Sequence, residues 1–544
     1  MAARWFNIAG PCVPGKHYMI AASARLPEVP GLVARENYFV VHAPRQTGKT
    51  TTLRALAAEL TASGKYAAVK LSLQSGAAFG DDIGGATRAI LAKASREARL
   101  GLPADLRPPA WPEGPDGDLF GSSLAAWAES CPKPLVLFLD EIDSLTGATL
   151  VSVLSQIREG FEDRPGAFPA SIALCGLRDV RDYKSTASGR NPERSGGPSP
   201  FNIIVESLRL GDFTLGEVRE LYGQHTAEAG RVFTDEAVEH VYALTGGQPW
   251  LVNALAAEIV DRMKIPATEP VTVEQVDTAR ERVIQARPSH LDSLVRRLRE
   301  PEVQRVLLPL LAGSEQPVDL EYSDDRSFVR DLGLITEGDE AGPRIANPIY
   351  AEVISRALAE QVVPSPAVLP TARDFVLPDG RFDVPGALTG LAAFWRTHGK
   401  MLGDGRPYEE ALPHAFLFAW LDRAVNGDGD VFREYANGRG RADLYLRWRY
   451  TARDGTRAEQ REVFEVKTQR PGKADPLKDA IVQLDDYLNH LDLSSGHIVI
   501  FDQRPQPAAA PAGPLTTQIS PSGHSISITR LVLPPARRST RAPS

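Results

Sequence analysis

Tyr38-Phe39-Val40-Val41-His42-Ala43-Pro44-Arg45-Gln46-Thr47-Gly48-Lys49-Thr50-Thr51 decides how the first half of this chain is read. YFVVH, rich in β-branched and aromatic side chains, reads as a buried strand, and the run TTLRALAAELTASG reads as a helix. Residues 43–50 between them fit the pattern GxxxxGK[ST], with alanine at the first glycine. Such a turn offers backbone N–H groups and the positive end of a helix dipole to phosphate oxygens. Lys49 adds a point charge for the β- and γ-phosphates, and Thr50 a hydroxyl for Mg2+. Ala43, Pro44, Arg45, Gln46, Thr47, Gly48, Lys49, Thr50 and Thr51 are therefore the candidate nucleotide-binding residues. Alanine at 43 is tolerable where φ is negative.

A phosphate-binding turn of this type needs an acid at the tip of a neighbouring buried strand. Pro134-Leu135-Val136-Leu137-Phe138-Leu139-Asp140-Glu141 supplies it. Asp140 is placed to hold Mg2+ through water, and Glu141 to orient and deprotonate the attacking water. Asp143 reads either as part of this acidic end or as the cap of the next helix. The strand SIALCGL ends at Arg178, which reads either as a γ-phosphate sensor or as a surface arginine opening a loop. Thr245-Gly246-Gly247-Gln248-Pro249-Trp250 reads as a turn that starts a helix, with proline near its first position. The runs YFVVHA, AAVKLSL, PLVLFLD and SIALCGL alternate with helical patterns, which predicts a mostly parallel sheet with helices on both faces. Residues 214–300 read as mainly helical, and 301–360 as helices around a hairpin.

The whole chain is 544 residues long, enough for three or four units of about 150 residues each. With 43% hydrophobic, 24% charged and 7% aromatic residues, collagen-like, coiled-coil and wholly disordered classes are excluded. Lys and Arg total 61 against 69 Asp and Glu, a net charge of −8, so no chain-wide positive field calls for nucleic acid or an anionic membrane. Cys12, Cys131 and Cys175 are too few and too far apart for a disulfide framework or a Cys-based zinc site. No signal-like pattern and no apolar stretch of membrane-spanning length is present, so a cytoplasmic protein without a membrane partner is expected. No fixed-period repeat occurs. Proline- and glycine-rich seams fall at 102–117, 184–200 and 363–390, and 504–514 and 534–544 are low-complexity.

A second constellation lies between residues 402 and 502. Strand-like alternation in VFREY, RADLYLRWRY and REVFEVKT carries Asp443 on one strand and Glu465 and Lys467 on the next, with Glu465 and Lys467 on one face because side chains alternate. Two carboxylates on adjacent strands suit Mg2+, and the lysine suits a water or a phosphate under attack. The bland alternative is a cross-strand ion pair on a half-solvated sheet. Residues 433–473 hold 11 Lys and Arg against 6 Asp and Glu, a net of +5 that phosphate-backbone contact requires. Tyr445, Trp448 and Tyr450 alternate like ordinary sheet residues rather than base-stacking platforms.

Two resemblances follow. FNIAGPC, KHYMI, RLPEV, YFVVHAPRQTGKTT, LFLDEIDSL, GLRDVRDYK, GGQPWLVNALA and LGLI…IANPIYAEVISRAL together resemble the AAA-like or STAND-type P-loop ATPases over residues 5–360. The resemblance implies an ATPase core at 1–213, a helical lid at 214–295 whose Gly247–Pro249 motif brings Pro249 to the nucleotide, and a winged-helix module at 296–362. His17, Tyr18 and Arg25 match the segment that precedes the phosphate-binding loop in that group and is placed to contact the adenine. Residues 399–535, with Asp443, Glu465, Lys467 and the QLDDYL helix carrying Gln483, resemble the PD-(D/E)XK nuclease fold, Ala442 standing where the family name has proline. That resemblance implies Asp443 and Glu465 as metal ligands, Glu410 as a further one on the first helix, and Lys467 as catalytic. Residues 363–398 are expected to be a linker and 536–544 a tail.

The expectation is thus an α/β multidomain protein: an ATP- and Mg2+-dependent switch controlling a metal-dependent nuclease in prokaryotic defence or signalling. Its expected partners are nucleic acid, DNA more than RNA, a possible protein trigger, and further copies of itself in a nucleotide-dependent homo-oligomer. The alternative is an ATP-regulated nucleic-acid-binding or DNA-remodelling protein with an inactive nuclease-like domain. No single arginine stands out as a finger acting in trans.

Overall fold

The structure is a computed structural model, and it describes residues 4–178, 203–263, 265–266, 268–311, 324–338, 342–362, 375–398, 411–425, 429–437, 440–469, 472–502, 504 and 515–532. It divides into two compact units. The first holds residues 1–290 with 327–336 and 346–349, and the second holds 291–326, 337–345 and 350–544.

The sheet of the first unit contains β1 (Tyr38–His42), β2 (Ala67–Ser72), β3 (Leu135–Asp140), β4 (Ser171–Gly176) and β5 (Ile204–Arg209), in the order β2-β3-β4-β1-β5. Every pairing is parallel. Both faces are covered, so β2, β3 and β4 are buried from end to end and read as near-continuous apolar runs, with Lys70 the charged exception inside β2. Two short helices, α1 (Ala22–Arg25) and α2 (Val29–Ala34), precede β1; α3 (Lys49–Ala62), α4 (Ile83–Gly101), α5 (Leu119–Ser130) and α6 (Gly147–Glu159) lie between strands. One core joins Leu137 and Leu139 to Ile90, Phe120, Trp127 and Val153. The other joins Phe39, Val41 and Phe138 to Leu32, Leu53 and Leu56. This is the α/β arrangement of P-loop NTPases, as the sequence predicts. Because β4 lies between β1 and β3, the turn after β1 and the acidic end of β3 flank the carboxyl end of β4.

After the sheet come α7 (Leu215–Ala229), α8 (Asp235–Thr245), α9 (Pro249–Ala257) and α10 (Val273–Ala286). Thr214 and Glu217 form a capping box that starts α7, and Gly230 in the left-handed region ends it. The next elements are α11 (Ser289–Arg297), α12 (Pro301–Leu311), α13 (Asp324–Asp331), the two-stranded sheet of β6 (Ile335–Gly338) and β7 (Gly342–Ile345), and α14 (Pro348–Val362). The expected helix and hairpin order over 301–360 is present, but these residues are shared between the two units rather than forming one of their own.

The second unit is built on α15 (Val384–His398), α16 (Ala411–Ala424), β8 (Gly429–Asn437), β9 (Gly440–Thr451), β10 (Arg457–Gln469), α17 (Leu477–Leu491), β11 (Ser495–Asp502), β12 (Thr516–Ile519) and β13 (Ser525–Val532). Its sheet runs β12-β13-β11-β10-β9-β8. β10, β11 and β13 are parallel neighbours, while β8, β9 and β10 form an antiparallel meander. α17 packs its Ala480, Leu484 and Leu488 on Val463, Ile498, Ile500 and Ile528 of one face. α15 and α16 cover Phe464, Val466, Val499 and Phe501 on the other.

That second packing corrects the linker expected at 363–398. Residues 363–374 lie outside the described residues, but residues between 375 and 395 are part of the core. Phe382, Leu388, Leu391 and Trp395 are buried in one cluster with Phe464 and Phe501, and the Trp395 and Phe501 rings meet edge to face at 4.8 Å. Gln460 binds both backbone groups of Phe382, accepting from its N–H at 2.8 Å and donating to its carbonyl at 3.1 Å. The prolines between 364 and 385 masked the helical period of ALTGLAAFW. The seam at 184–200 and the tail at 536–544 lie outside the described residues. Among the described residues no helix is long and apolar enough to cross a membrane, and all three cysteines are free.

Candidate functional site

The turn after β1 is tight enough to need left-handed backbone at Gln46 (φ 61°) and Gly48 (φ 87°), but not at Ala43, so alanine fits there. Thr47 closes the turn by donating its hydroxyl to the Pro44 carbonyl at 2.9 Å. Gly48 caps α3 without a side-chain acceptor, leaving the first N–H groups of the helix for an anion. Lys49 Nζ donates to the Gly176 carbonyl at the end of β4 at 2.6 Å. Thr50 Oγ1 donates to Asp140 Oδ2 at 2.8 Å. The ends of β1, β4 and β3 thus converge as the strand order requires, and a hydroxyl and a carboxylate side by side are the hard oxygen donors Mg2+ takes.

Glu141 follows Asp140 in a left-handed conformation with φ 64°. Its N–H donates to Asp140 Oδ1 at 3.1 Å, and its own Oε2 accepts from Ser72 Oγ at 2.5 Å. Ser72 ends β2, and its N–H is held by Glu97 of α4 at 2.8 Å, which also pairs with Lys70 at 3.1 Å. Sequence reasoning did not single out Ser72; the only signal was its place as the polar end of a mostly apolar strand. Asp143 lies in the single 3-10 turn 142–144, while Thr146 precedes α6, so Asp143 does not cap that helix. Arg178 stacks its guanidinium on the Phe328 ring, 4.1 Å from the centroid. Nearby, Gly333 (φ 75°) sits so close to Pro44 that a Cβ there would approach the proline ring to 2.7 Å. Residues 327–336 therefore pack on the phosphate-binding turn itself.

Pro249 occupies the first turn of α9 and is buried. The residue before it makes the contact: Gln248 caps α9 by accepting from Leu251 N–H at 2.6 Å, and its Nε2 donates to the Gln46 carbonyl at 3.3 Å. Arg25 donates to the Thr47 carbonyl at 3.4 Å and to the Gly211 carbonyl, and lies over the Phe213 ring. Thr51 Oγ1 accepts from Cys12 N–H at 3.0 Å, so the N-terminal segment reaches α3. His17 and Tyr18 are engaged by the protein: His17 Nδ1 accepts from Val13 N–H at 2.9 Å, and Tyr18, buried against Phe6, shares a hydrogen bond with His225.

In the second unit the β9–β10 register, with Leu444 opposite Phe464, brings Asp443 beside Glu465. Asp443 Oδ2 accepts from Val466 N–H at 2.7 Å. Glu465 Oε1 pairs with Lys467 Nζ at 2.6 Å, while its buried Oε2 has no hydrogen-bond partner. Burial, and then the neighbouring Asp443 charge, push the Glu465 carboxyl up to about 8. A buried carboxylate oxygen left unsatisfied beside a second carboxylate is what a divalent cation would satisfy, so the donor set fits Mg2+. Glu410 lies outside the described residues, and among those described no group of three His, Cys, Asp or Glu converges. Gln483 is exposed on α17. Tyr445 and Trp448 are buried core residues, and Asp430 pairs with Arg447 and Arg449 at 3.0 and 2.9 Å.

No protein-family model matches the chain, and no curated protein matches it. Several solved structures are similar over 61–64% of it. The Walker-type ATPase of Pyrococcus abyssi is 13% identical, with 64% of this chain and 99% of that chain covered and a TM-score of 0.45. The Thermotoga maritima RuvB Holliday junction branch migration motor is 15% identical, with 61% and 93% covered and a TM-score of 0.33. The Aeropyrum pernix Orc1 protein in complex with DNA is 14% identical, with 64% and 95% covered and a TM-score of 0.33.

Proposed function

We propose that the first unit binds and hydrolyses ATP with Mg2+, and that its nucleotide state controls a metal-dependent nuclease in the second unit, in prokaryotic defence or signalling. The observation that carries the nuclease reading is the Glu465 carboxylate, buried beside Asp443, bonded to Lys467 through one oxygen and unsatisfied at the other. Most buried oxygens of structural ion pairs have a hydrogen-bond partner, so an unpartnered one beside a second carboxylate supports a cation site.

At the first site the N–H groups of 46–50 cradle the phosphates and Lys49 transfers its ammonium from the Gly176 carbonyl to them. Thr50 and Asp140 would hold Mg2+, which neutralises charge between the phosphates when bound. Glu141 takes the proton of the attacking water. Gln248 and Pro249 carry the lid to the phosphate-binding turn, and the α12 to α14 region acts as a winged-helix coupler. At the second site Asp443 and Glu465 would hold the cation, which supplies Lewis-acid polarisation of the phosphate when bound. Lys467 hydrogen-bonds the phosphate oxygens and orients the water. ATP is a gate here rather than an energy source, since phosphodiester hydrolysis is already downhill. A nucleotide-dependent homo-oligomer, a protein trigger and DNA rather than RNA complete the reading.

The test is cleavage of plasmid and single-stranded nucleic acids with Mg2+ or Mn2+, with and without ATP, by wild type, D443A and K49A. Cleavage lost in D443A and altered in K49A supports the ATP-gated nuclease; identical cutting by K49A under all nucleotide conditions removes the gate. A second reading, an ATP-regulated nucleic-acid-binding protein with a silent nuclease-like domain, draws on the two-carboxylate donor set. It predicts binding without Mg2+ and no cleavage.

A further inference from the structure

Two arginines stand at the carboxyl ends of β11 and β13, in line with Lys467. The parallel registers pair Lys467 with Ile500 and Ile500 with Arg530. Paired residues in a sheet project from the same face, and Ile500 belongs to the core beneath α17, so Arg530 lies on the face that carries Lys467 and Glu465. With strands about 4.8 Å apart, the backbones at Lys467 and Arg530 are about 10 Å apart across the row. Carboxyl ends of parallel strands are where open α/β sheets place their ligands.

Asp502 organises both guanidiniums. Its side chain is 1% exposed, and it accepts from Arg504 N–H at 3.0 Å, Nε at 2.9 Å and Nη2 at 2.5 Å. The same carboxylate lies 3.9 Å from Arg530 Nη1. Arg530 Nη2 donates to Asp475, just ahead of α17, at 2.5 Å. Arg530 Nη1 is buried without a hydrogen-bond partner among the described residues. On the opposite face, the polar network around His497 is closed, with Ser527 and Glu462 on its two ring nitrogens. The arginine pair is therefore held in place by aspartates while both side chains stay partly exposed, Arg504 at 42% and Arg530 at 25%, and a phosphate oxygen takes up the donors that face outward. Two aspartates balance two arginines, so the grip comes from directed hydrogen bonds rather than from a strong local field.

We propose that Arg504 and Arg530 form a phosphate clamp for the nucleic-acid backbone, holding a phosphate beside the one presented to Asp443, Glu465 and Lys467. The clamp rests on the nuclease reading above, and it assigns the substrate a path across the ends of β10, β11 and β13.

The test is binding of a fluorescein-labelled oligonucleotide by the full chain in EDTA over a range of salt concentrations, with and without ATP, together with Mn2+-supported cleavage. Arg504→Ala, Arg530→Gln and, as a charge-matched control on the first unit, Arg88→Ala are compared with wild type. Each clamp variant is expected to lower the slope of log K against log salt by about 1 and to weaken binding several-fold whatever the sequence. KM for cleavage rises while kcat stays near wild type, and Arg88→Ala behaves as wild type. If wild type binds and cleaves while both clamp variants keep its slope and KM, the clamp is wrong and the nuclease reading stands. If wild type neither binds nor cleaves nucleic acid, the nuclease reading falls and the clamp with it. Arg504 is 42% exposed, so its variant decides the matter even where Arg530→Gln fails to fold.

Discussion

The hydroxyl of Ser72, at the end of β2, is hydrogen-bonded to Oε2 of Glu141, at the end of the neighbouring β3. If Glu141 takes the proton of the attacking water, as proposed, that bond occupies one of the two oxygens it could use. A hydrogen bond to a charged group contributes about 1.5–3 kcal/mol, so Ser72→Ala is expected to raise kcat for ATP hydrolysis about tenfold at unchanged KM. Steady-state ATPase assays check this, and a fall in kcat would make Ser72 an aid to catalysis instead. Glu141→Gln should bind ATP normally and lose about 10²-fold or more in kcat, the usual contribution of a general base.

Lys49 Nζ donates to the Gly176 carbonyl, and among the described residues it pairs with no carboxylate. Lys49→Ala is expected to weaken ATP binding by about 100-fold in titration calorimetry with no loss of thermal stability, because one hydrogen bond to a carbonyl is a small part of the folded unit's stability. Unaltered affinity would remove Lys49 from the phosphate site.

Gly247 has φ 76°, and a Cβ there would come 1.9 Å from the Phe213 carbonyl oxygen, which belongs to the backbone and cannot swing away. Gly247→Ala should cost about 2 kcal/mol or more and displace the start of α9. Thermal melting with and without ATP reads this out: the variant melts lower and gains less from ATP than wild type. An unchanged melting point would mean that the turn can relax.

Burial lowers the His290 imidazole, whose ring lies 4.9 Å from Trp250, to about 4. In the unfolded chain it titrates near 6.5. Between those values the unfolded state binds more protons, so the stability present above about pH 6.5 is lost as pH falls toward 4. The melting transition of the first unit should drop between pH 7 and pH 5, and His290→Gln should flatten part of that drop. His17 and His225 are shifted the same way by burial, so some slope will persist. A variant as pH-sensitive as wild type would rule His290 out as a contributor.

Asp443→Asn and Lys467→Met should each reduce nucleic-acid cleavage by about 10²-fold or more while the protein stays folded by circular dichroism. Full activity in either variant would remove that residue from the chemistry.

Legibility followed the range of the contacts. YFVVHAPRQTGKTT could be read directly because strand, turn and helix start are contiguous, and Asp443 met Glu465 because a hairpin fixes their register over a short connection. The contacts of Ser72 and Gln248 are not legible because their partners lie 69 and 202 residues away; Ser72 belongs to no spaced motif, and the Gly247–Pro249 motif points to Pro249 rather than to Gln248. Asp502, Arg504 and Arg530 escaped notice because β13 joins the sheet by a parallel pairing that no local turn announces. The helix at 384–398 is hard to read because its proline-rich flanks look like a spacer, although its apolar side chains keep a helical period.

That helix bears on how the gene can be cut. A deletion or fusion boundary at residue 399 would strand Phe382, Leu388, Leu391 and Trp395 on the wrong fragment and open a hole under Phe464 and Phe501. Any attempt to transplant the C-terminal part into another chain, or to ask whether ATP turnover survives without it, has to take its first codon before that of Phe375.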